Sequence, residues 1–225
     1  MSVESTMNET PVPVDLAPPE ELGPRWAALA AAMGSTGHGA DDCRADDGDW
    51  YYHDGGGNWC RMFRYADGRA LLIGSDHEYS ETYFREGAEY FQEEETDLLA
   101  GGESWWADAV EWHDTQDGDW ISFIYAYDGT TWSRAPYEAA DGFEDLQFPA
   151  VSSERLLPEL VQWGRPSTGR RDTSEPDEAE LVAARVLASA GVDVTEGLVR
   201  ALGPGMTEPQ TGVAAARAFA EPGRR

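Results

Sequence analysis

The chain contains no lysine: all 16 of its basic residues are arginine. That removes every chemistry built on an ε-amino group. A GxxxxGK[ST] phosphate loop, a pyridoxal Schiff base, a kinase β3 lysine and a lysine general base are all excluded. Cysteine is scarce too. Cys43 and Cys60 are the two thiols, no C-x-x-C occurs, and two thiols without patterned histidines make no zinc site. A disulfide between them is geometrically open, but free buried thiols are the expectation for a cytoplasmic protein. Long apolar runs are missing as well. Trp26–Met33 offers only 8 apolar residues, far short of the ~20 that a membrane-spanning helix needs. It also follows Glu20, Glu21 and Arg25 in place of a basic leader. The expectation is a cytoplasmic protein with no membrane partner.

Positive charge is in short supply. Against the 16 arginines stand 43 acids, giving a net charge of −27 and a pI of about 4.2. Residues 38–165 hold 29 acids and 8 arginines, a charge of −21. Such a field repels nucleic-acid backbones and anionic membranes and attracts basic proteins. No nucleic-acid partner is expected, and a basic protein partner is. Solubility alone, or growth in high salt, produces the same bias.

What the chain does have is aromatic residues on strand-like spacing. Asp47–Glu78 (DGDWYYHDGGGNWCRMFRYADGRALLIGSDHE) reads as three strands and two glycine turns. Trp50–His53 stops at Asp54-Gly55-Gly56-Gly57-Asn58, where glycines supply positive φ. In Trp59–Ala66, Trp59, Arg61, Phe63 and Tyr65 point one way and Cys60, Met62, Arg64 and Ala66 the other. Asp67-Gly68 marks a tight hairpin, and Ala70–Ile73 returns. The logic repeats at Asp117-Gly118-Asp119-Trp120, Phe123–Ala126, the Asp128-Gly129 turn and Trp132–Ala135. Both hairpins are expected in one sheet, with an internal duplication as the alternative.

Around this centre the chain divides into four parts. Residues 1–18, with Pro11, Pro13 and Pro18, read as a disordered arm. Residues 19–164 form the sheet domain. Its first helix carries Leu22, Trp26, Leu29 and Met33 on one stripe and ends at Gly34–Gly39, which includes His38. Residues 40–49 read as an acidic loop that fails the EF-hand pattern. Tyr83, Phe84, Tyr90 and Phe91 fit one side of a helix, with a loop and strand as the alternative. A helix is expected from Ser104 to Val110 and another from Ser152 or Ser153 to Trp163, with residues 136–151 irregular between. Residues 165–175 are a linker by composition. In residues 176–221, helices are expected from Pro176 to Ala190, from Asp193 to Leu202, and from a Thr207–Gln210 capping box to Ala220. That segment is too short for its own core and is expected to dock on the sheet or on a second protein. The fold class is α+β: an antiparallel sheet of hairpins flanked by helices, with a small helical C-terminal segment.

No complete catalytic set emerges. His77 and Glu81 would share a helical face at i, i+4 as acid and base, but H-E-x-x-E lacks the second zincin histidine, and Gly74 points to a turn there. His53-Asp54-Gly55-Gly56-Gly57 imitates an oxyanion loop without any G-x-S-x-G partner. Ser75-Asp76-His77 are chain neighbours and cannot form a triad among themselves. The favoured reading is therefore non-catalytic, with no cofactor and no metal. It is an acidic module that neutralises or escorts a basic protein, as immunity proteins and nucleic-acid mimics do. Its contact residues would be Asp41, Asp42, Asp46, Asp47 and Asp49 together with Glu93, Glu94 and Glu95, anchored by exposed tryptophans. The alternative is a hydrolase using His77, Glu81 or His113 in a tryptophan-lined, carbohydrate-type cleft.

Overall fold

Alternating side chains between Cys43 and Ser75, broken by tight turns, produce four consecutive antiparallel strands. The computed structural model of the chain describes residues 10–37, 39–116, 118–166 and 174–223. The strands are β1 (Val12–Val14), β2 (Cys43–Asp46), β3 (Asp49–His53), β4 (Trp59–Arg64), β5 (Ala70–Ser75), β6 (Phe123–Tyr127) and β7 (Trp132–Arg134). They form one sheet in the order β1-β7-β6-β5-β4-β3-β2, antiparallel throughout. The helices are α1 (Pro19–Gly34), α2 (Glu86–Phe91), α3 (Ser104–Gln116), α4 (Ser153–Gly164), α5 (Glu178–Ala190), α6 (Glu196–Ala201) and α7 (Pro209–Ala218). The α+β class read from the sequence holds, and both expected hairpins lie in the same sheet. Among the described residues no helix is long and apolar enough to cross a membrane.

Both faces of the sheet are covered, and the strand alternation decides which residue joins which core. Cys60, Met62, Ala70, Leu72, Phe123 and Tyr125 pack under α1. Trp59, Phe63, Leu71, Ile73 and Ile124 pack on the other side with Trp106, Ala109 and Val110 of α3. Helix α1 is buried around nearly its whole circumference, with 12 of its 16 residues inaccessible, because α4, α5 and α7 close over the side turned away from the sheet. Trp26 lies at this junction. Its ring is 5.7 Å from Trp50, 4.5 Å from Phe148 and 6.3 Å from Phe219, and its Nε1 donates to the Tyr51 carbonyl at 3.2 Å. The C-terminal helices thus share the core of the sheet and have none of their own.

Close approach of α7 to α1 depends on Gly212. A Cβ there would overlap the Ala31 carbonyl oxygen and Ser35 Oγ. The hydroxyl already donates to Ala31 O at 2.6 Å inside the helix. Gly212→Ala is expected to force the helices apart and cost about 1–3 kcal/mol, the usual range for overpacking. Urea midpoints for Gly212→Ala and for Gln210→Ala, an exposed position on the same helix, check this. Equal midpoints would mean the crossing is looser than described.

Several expectations change. The arm over residues 1–18 is not structureless where it is described: Val12–Val14 pairs with β7, and Trp132 Nε1 donates to Ala17 O at 2.9 Å. Proline is tolerated there because β1 is an edge strand. The acidic loop over residues 40–49 contains β2, whose Cys43 is buried and whose Asp46 is exposed, and Asp49 is buried in β3. The real capping box belongs to α5, where Asp177 accepts from Glu180 N. The one expected at Thr207–Gln210 is absent, because Glu208 sits at the N-cap without a side-chain capping bond. Helix α3 runs on to Gln116, past the expected Val110. His38, Asp117 and residues 167–173 of the expected linker lie outside the described residues.

Cys43 and Cys60 are free and buried. They flank Tyr52 in one cross-strand row, Cys43↔Tyr52↔Cys60. Two strands apart means a Cα separation of about 9–10 Å, beyond the reach of a disulfide.

Candidate functional site

The end of the sheet where β3 finishes, β4 begins and β5 finishes holds an open cleft. His53, Trp59 and Ser75 are register neighbours there, so all three side chains stand on the face that carries α3. The Asp54–Asn58 turn is locked by its own polar groups. Asp54 Oδ1 accepts from Gly56 N at 2.6 Å and Asn58 N at 3.1 Å, and its Oδ2 accepts from Asn58 Nδ2 at 2.9 Å. That last bond fixes which way the Asn58 amide points, so its Oδ1 faces His77. It accepts from His77 N at 3.0 Å and lies 2.8 Å from His77 Nδ1. The neutral His77 ring therefore carries its proton on Nδ1 and keeps a lone pair on Nε2. Gly57 makes room for this ring, since φ is +116° and a Cβ would stand 3.0 Å from His77 Nδ1.

Helix α3 supports the cleft from below. His113, buried in that helix, stacks on Trp59 with ring centroids 4.7 Å apart, and its Nε2 donates to the Asp119 carbonyl at 3.1 Å. This bond tethers the segment after α3 and with it Trp120. The resulting open cleft, about 360 Å³, is lined by Tyr51, His53, Trp59, Ser75, His77, Asp119 and Trp120, along with Gly57 and Gly118.

Beside the cleft lies a patch of exposed aromatic rings. Trp120, Tyr90 and Phe91 touch one another at centroid distances of 4.8–5.1 Å, and Tyr83 meets Phe91 at 5.6 Å. Tyr90 is 68% exposed, Phe91 47% and Trp120 44%. Exposed apolar residues scattered singly need no explanation, but these three form one contiguous apolar patch on the surface. The short helix α2 that carries two of them is held between non-glycine residues of positive φ, Arg85 at 47° and Gln92 at 59°.

The charge of this sector is one-sided. From Tyr79 to Trp120 the sequence has 13 acids and a single arginine, and that Arg85 is paired with Asp114 at 2.6 Å. Glu86, Glu89, Glu93, Glu94, Glu95, Asp114 and Asp119 are all exposed.

The residues expected at the site are only partly brought together. Glu93–Glu95 follow α2 after Gln92 and are exposed. Asp41 and Asp42 lie at the cleft end of the sheet, where His53 N donates to Asp42 O at 2.7 Å. Asp46 and Asp47 lie at the opposite end, with Asp46 paired to Arg44. Asp49 is only 6% exposed and accepts from Arg64 N, so it offers nothing to a partner. His77 and Glu81 sit on an extended turn and share no helical face, and Glu81 is exposed with its N–H donating to Ala140 O. Of the three residues named for a hydrolase, only His77 lines the cleft. His113 is a tether beneath it. Among the described residues no group of three or more His, Cys, Asp or Glu is placed to hold a metal ion.

Tyr90, Phe91 and Asp119 were missed in the sequence. The signal that could have found the first two is the density of glutamate around them, in a helix too short to bury a face. Comparison with family models, curated proteins and solved structures finds no match to this chain, so its function must be read from its own residues.

Proposed function

We propose that the protein is a non-catalytic binding module of the cytoplasm that captures a basic protein, in the manner of an immunity protein or a nucleic-acid mimic. The observation that carries this reading is the coincidence of the exposed Trp120–Tyr90–Phe91 patch with the most acidic sector of the chain. Interfaces draw their affinity from a few desolvated aromatic anchors, while surrounding charge sets the rate of encounter and the choice of partner. Carboxylates around exposed rings also suit arginine-rich surfaces, whose guanidinium groups stack on aromatic faces.

Charge alone would draw any basic molecule to a chain of net charge −27, so the test must change the rings and not the charge. A heptapeptide carrying four arginines is titrated against the full chain at 25 and 300 mM salt. Binding is expected to weaken at the higher salt through screening. The double variant Phe91→Ala/Trp120→Ala is expected to bind about 30- to 700-fold more weakly at both salts, since each aromatic anchor is worth about 1–2 kcal/mol. Equal affinity of variant and wild type would reduce the interaction to non-specific attraction and remove the patch from the site.

A further inference from the structure

Resting on that reading, the chemistry of the neighbouring cleft names the group it takes. Its volume of about 360 Å³ lies at the small end of ligand clefts, which run from about 300 to 1,000 Å³. That is too small for a helix or a strand and suited to one long side chain. Trp120 belongs both to the cleft and to the exposed patch, so a partner seated on the patch has the cleft within reach of its next residue.

The lining decides which side chain fits. Asp119 brings a carboxylate, and His77 brings an Nε2 lone pair, because Nδ1 is committed to Asn58. Both are acceptors and favour a donor. His53, whose Nδ1 accepts from Gly55 N–H, keeps its own proton on Nε2, so Asp119 and His77 are the pair that would hold a donating guest. Among the described residues no arginine lines the cleft. The cations around it are engaged: Arg44 and Arg61 stand over the Tyr51 ring at 4.2 and 5.2 Å, Arg44 is paired with Asp46, and Arg85, which lines an adjoining pocket with Asp119 and Trp120, is paired with Asp114 at 2.6 Å. Tyr51 is covered in this way and Trp59 is stacked on His113. Trp120 also touches Tyr90 and Phe91 but is 44% exposed, and its exposed ring is the aromatic surface a guest can reach. A planar cation with several donors in a fixed fork meets these demands better than the compact ammonium of lysine.

We propose that this cleft receives one arginine side chain of the basic partner, its guanidinium packed on Trp120 and donating to the Asp119 carboxylate and to Nε2 of His77. His53 closes the far wall, with its Nδ1 accepting from Gly55 N–H at 2.8 Å. His113 acts as a positioning residue by tethering Asp119 from below.

The test uses three end-blocked tripeptides, Gly-Arg-Gly and its citrulline and lysine counterparts, titrated against the full chain at 25 mM salt and followed by tryptophan fluorescence. Citrulline keeps the shape of arginine and lacks its charge. The arginine peptide is expected to bind at least tenfold more tightly than the citrulline peptide and severalfold more tightly than the lysine peptide. Asp119→Asn and His77→Phe should each weaken the arginine peptide about tenfold, as expected for a lost bond to a charged group. His77→Gln, which returns an acceptor, should stay within threefold of wild type. Equal binding of the arginine and citrulline peptides, or no effect of Asp119→Asn, overturns the proposal. If the tripeptides fail while the heptapeptide still depends on Phe91 and Trp120, the cleft loses its occupant and the binding module stands. If the heptapeptide is also indifferent to those rings, both fall.

Discussion

Between pH 8 and pH 11 the folded protein is expected to lose a large part of its stability at constant temperature and salt. Burial pushes the Cys43 and Cys60 thiols well above their ordinary range, and for Cys60 the neighbouring Cys43 adds to the effect. Both therefore keep their protons in the folded state across this window. The unfolded chain releases them near pH ~8.5. Above that point the unfolded state binds fewer protons than the folded one, so stability falls as pH rises. The loss is about 1.4 kcal/mol per pH unit for a thiol that stays protonated, or about 3 kcal/mol by pH 11 for Cys43, and Cys60 adds to it in the same direction. Domains have only about 5–15 kcal/mol in total. Tyr52, Tyr125 and Tyr137 extend the decline above about pH 10. Burial raises all three, and for Tyr125 and Tyr137 the Asp141 carboxylate that accepts both hydroxyls at 2.8 Å raises them further. Urea midpoints from pH 7 to pH 11 for wild type and for Cys43→Ala/Cys60→Ala check this. The double variant should hold its midpoint until about pH 10, and superimposable profiles would show that the thiols play no part.

Trp26→Ala is expected to be the most damaging single substitution. It empties a site of zero exposure bounded by Trp50, Phe148 and Phe219 and removes the bond that Nε1 donates to the Tyr51 carbonyl. Large aromatic-to-alanine changes in cores cost about 3–5 kcal/mol, equivalent to about 10–15 °C in Tm for a chain of this size. Because the rings around Trp26 come from the sheet, the segment before α4 and the end of α7, wild type and variant should both melt in one transition. A second transition would mean that the C-terminal helices unfold separately and that the shared core is misdescribed. Trp26→Phe should recover about half of the loss by refilling the site without restoring the hydrogen bond.

The meander was legible because period-two alternation and Asp-Gly turns act locally. The sides assigned to Trp59, Phe63, Cys60 and Met62 follow from the pleat alone and are the sides observed. Strand β1 was hidden because Val12–Val14 is extended only by virtue of the edge that β7 offers, and three residues around a proline carry no signal of their own. Strand β2 was hidden by charge. Its alternation is present, with Cys43 and Ala45 turned inward and Arg44 and Asp46 outward, but the density of aspartate reads as a loop. The cleft was partly legible, since His77 was singled out for the wrong reason and His53 as an oxyanion look-alike. The aromatic patch was not legible. Whether Tyr90 and Phe91 turn inward or outward depends on how a short helix with strained ends sits on α3, and no periodicity encodes that.

The contact between α1 and α7 joins Trp26 to Phe219 across most of the sequence. During synthesis the first of these leaves the ribosome long before the second. Until α7 and Phe219 emerge, the part of α1 that α7 covers stays open even after α4 and α5 have been made. Closing so distant a pair is slow, and apolar surface left open during that wait invites aggregation. The nascent chain thus has a vulnerable interval, and its length is set by the rate of translation.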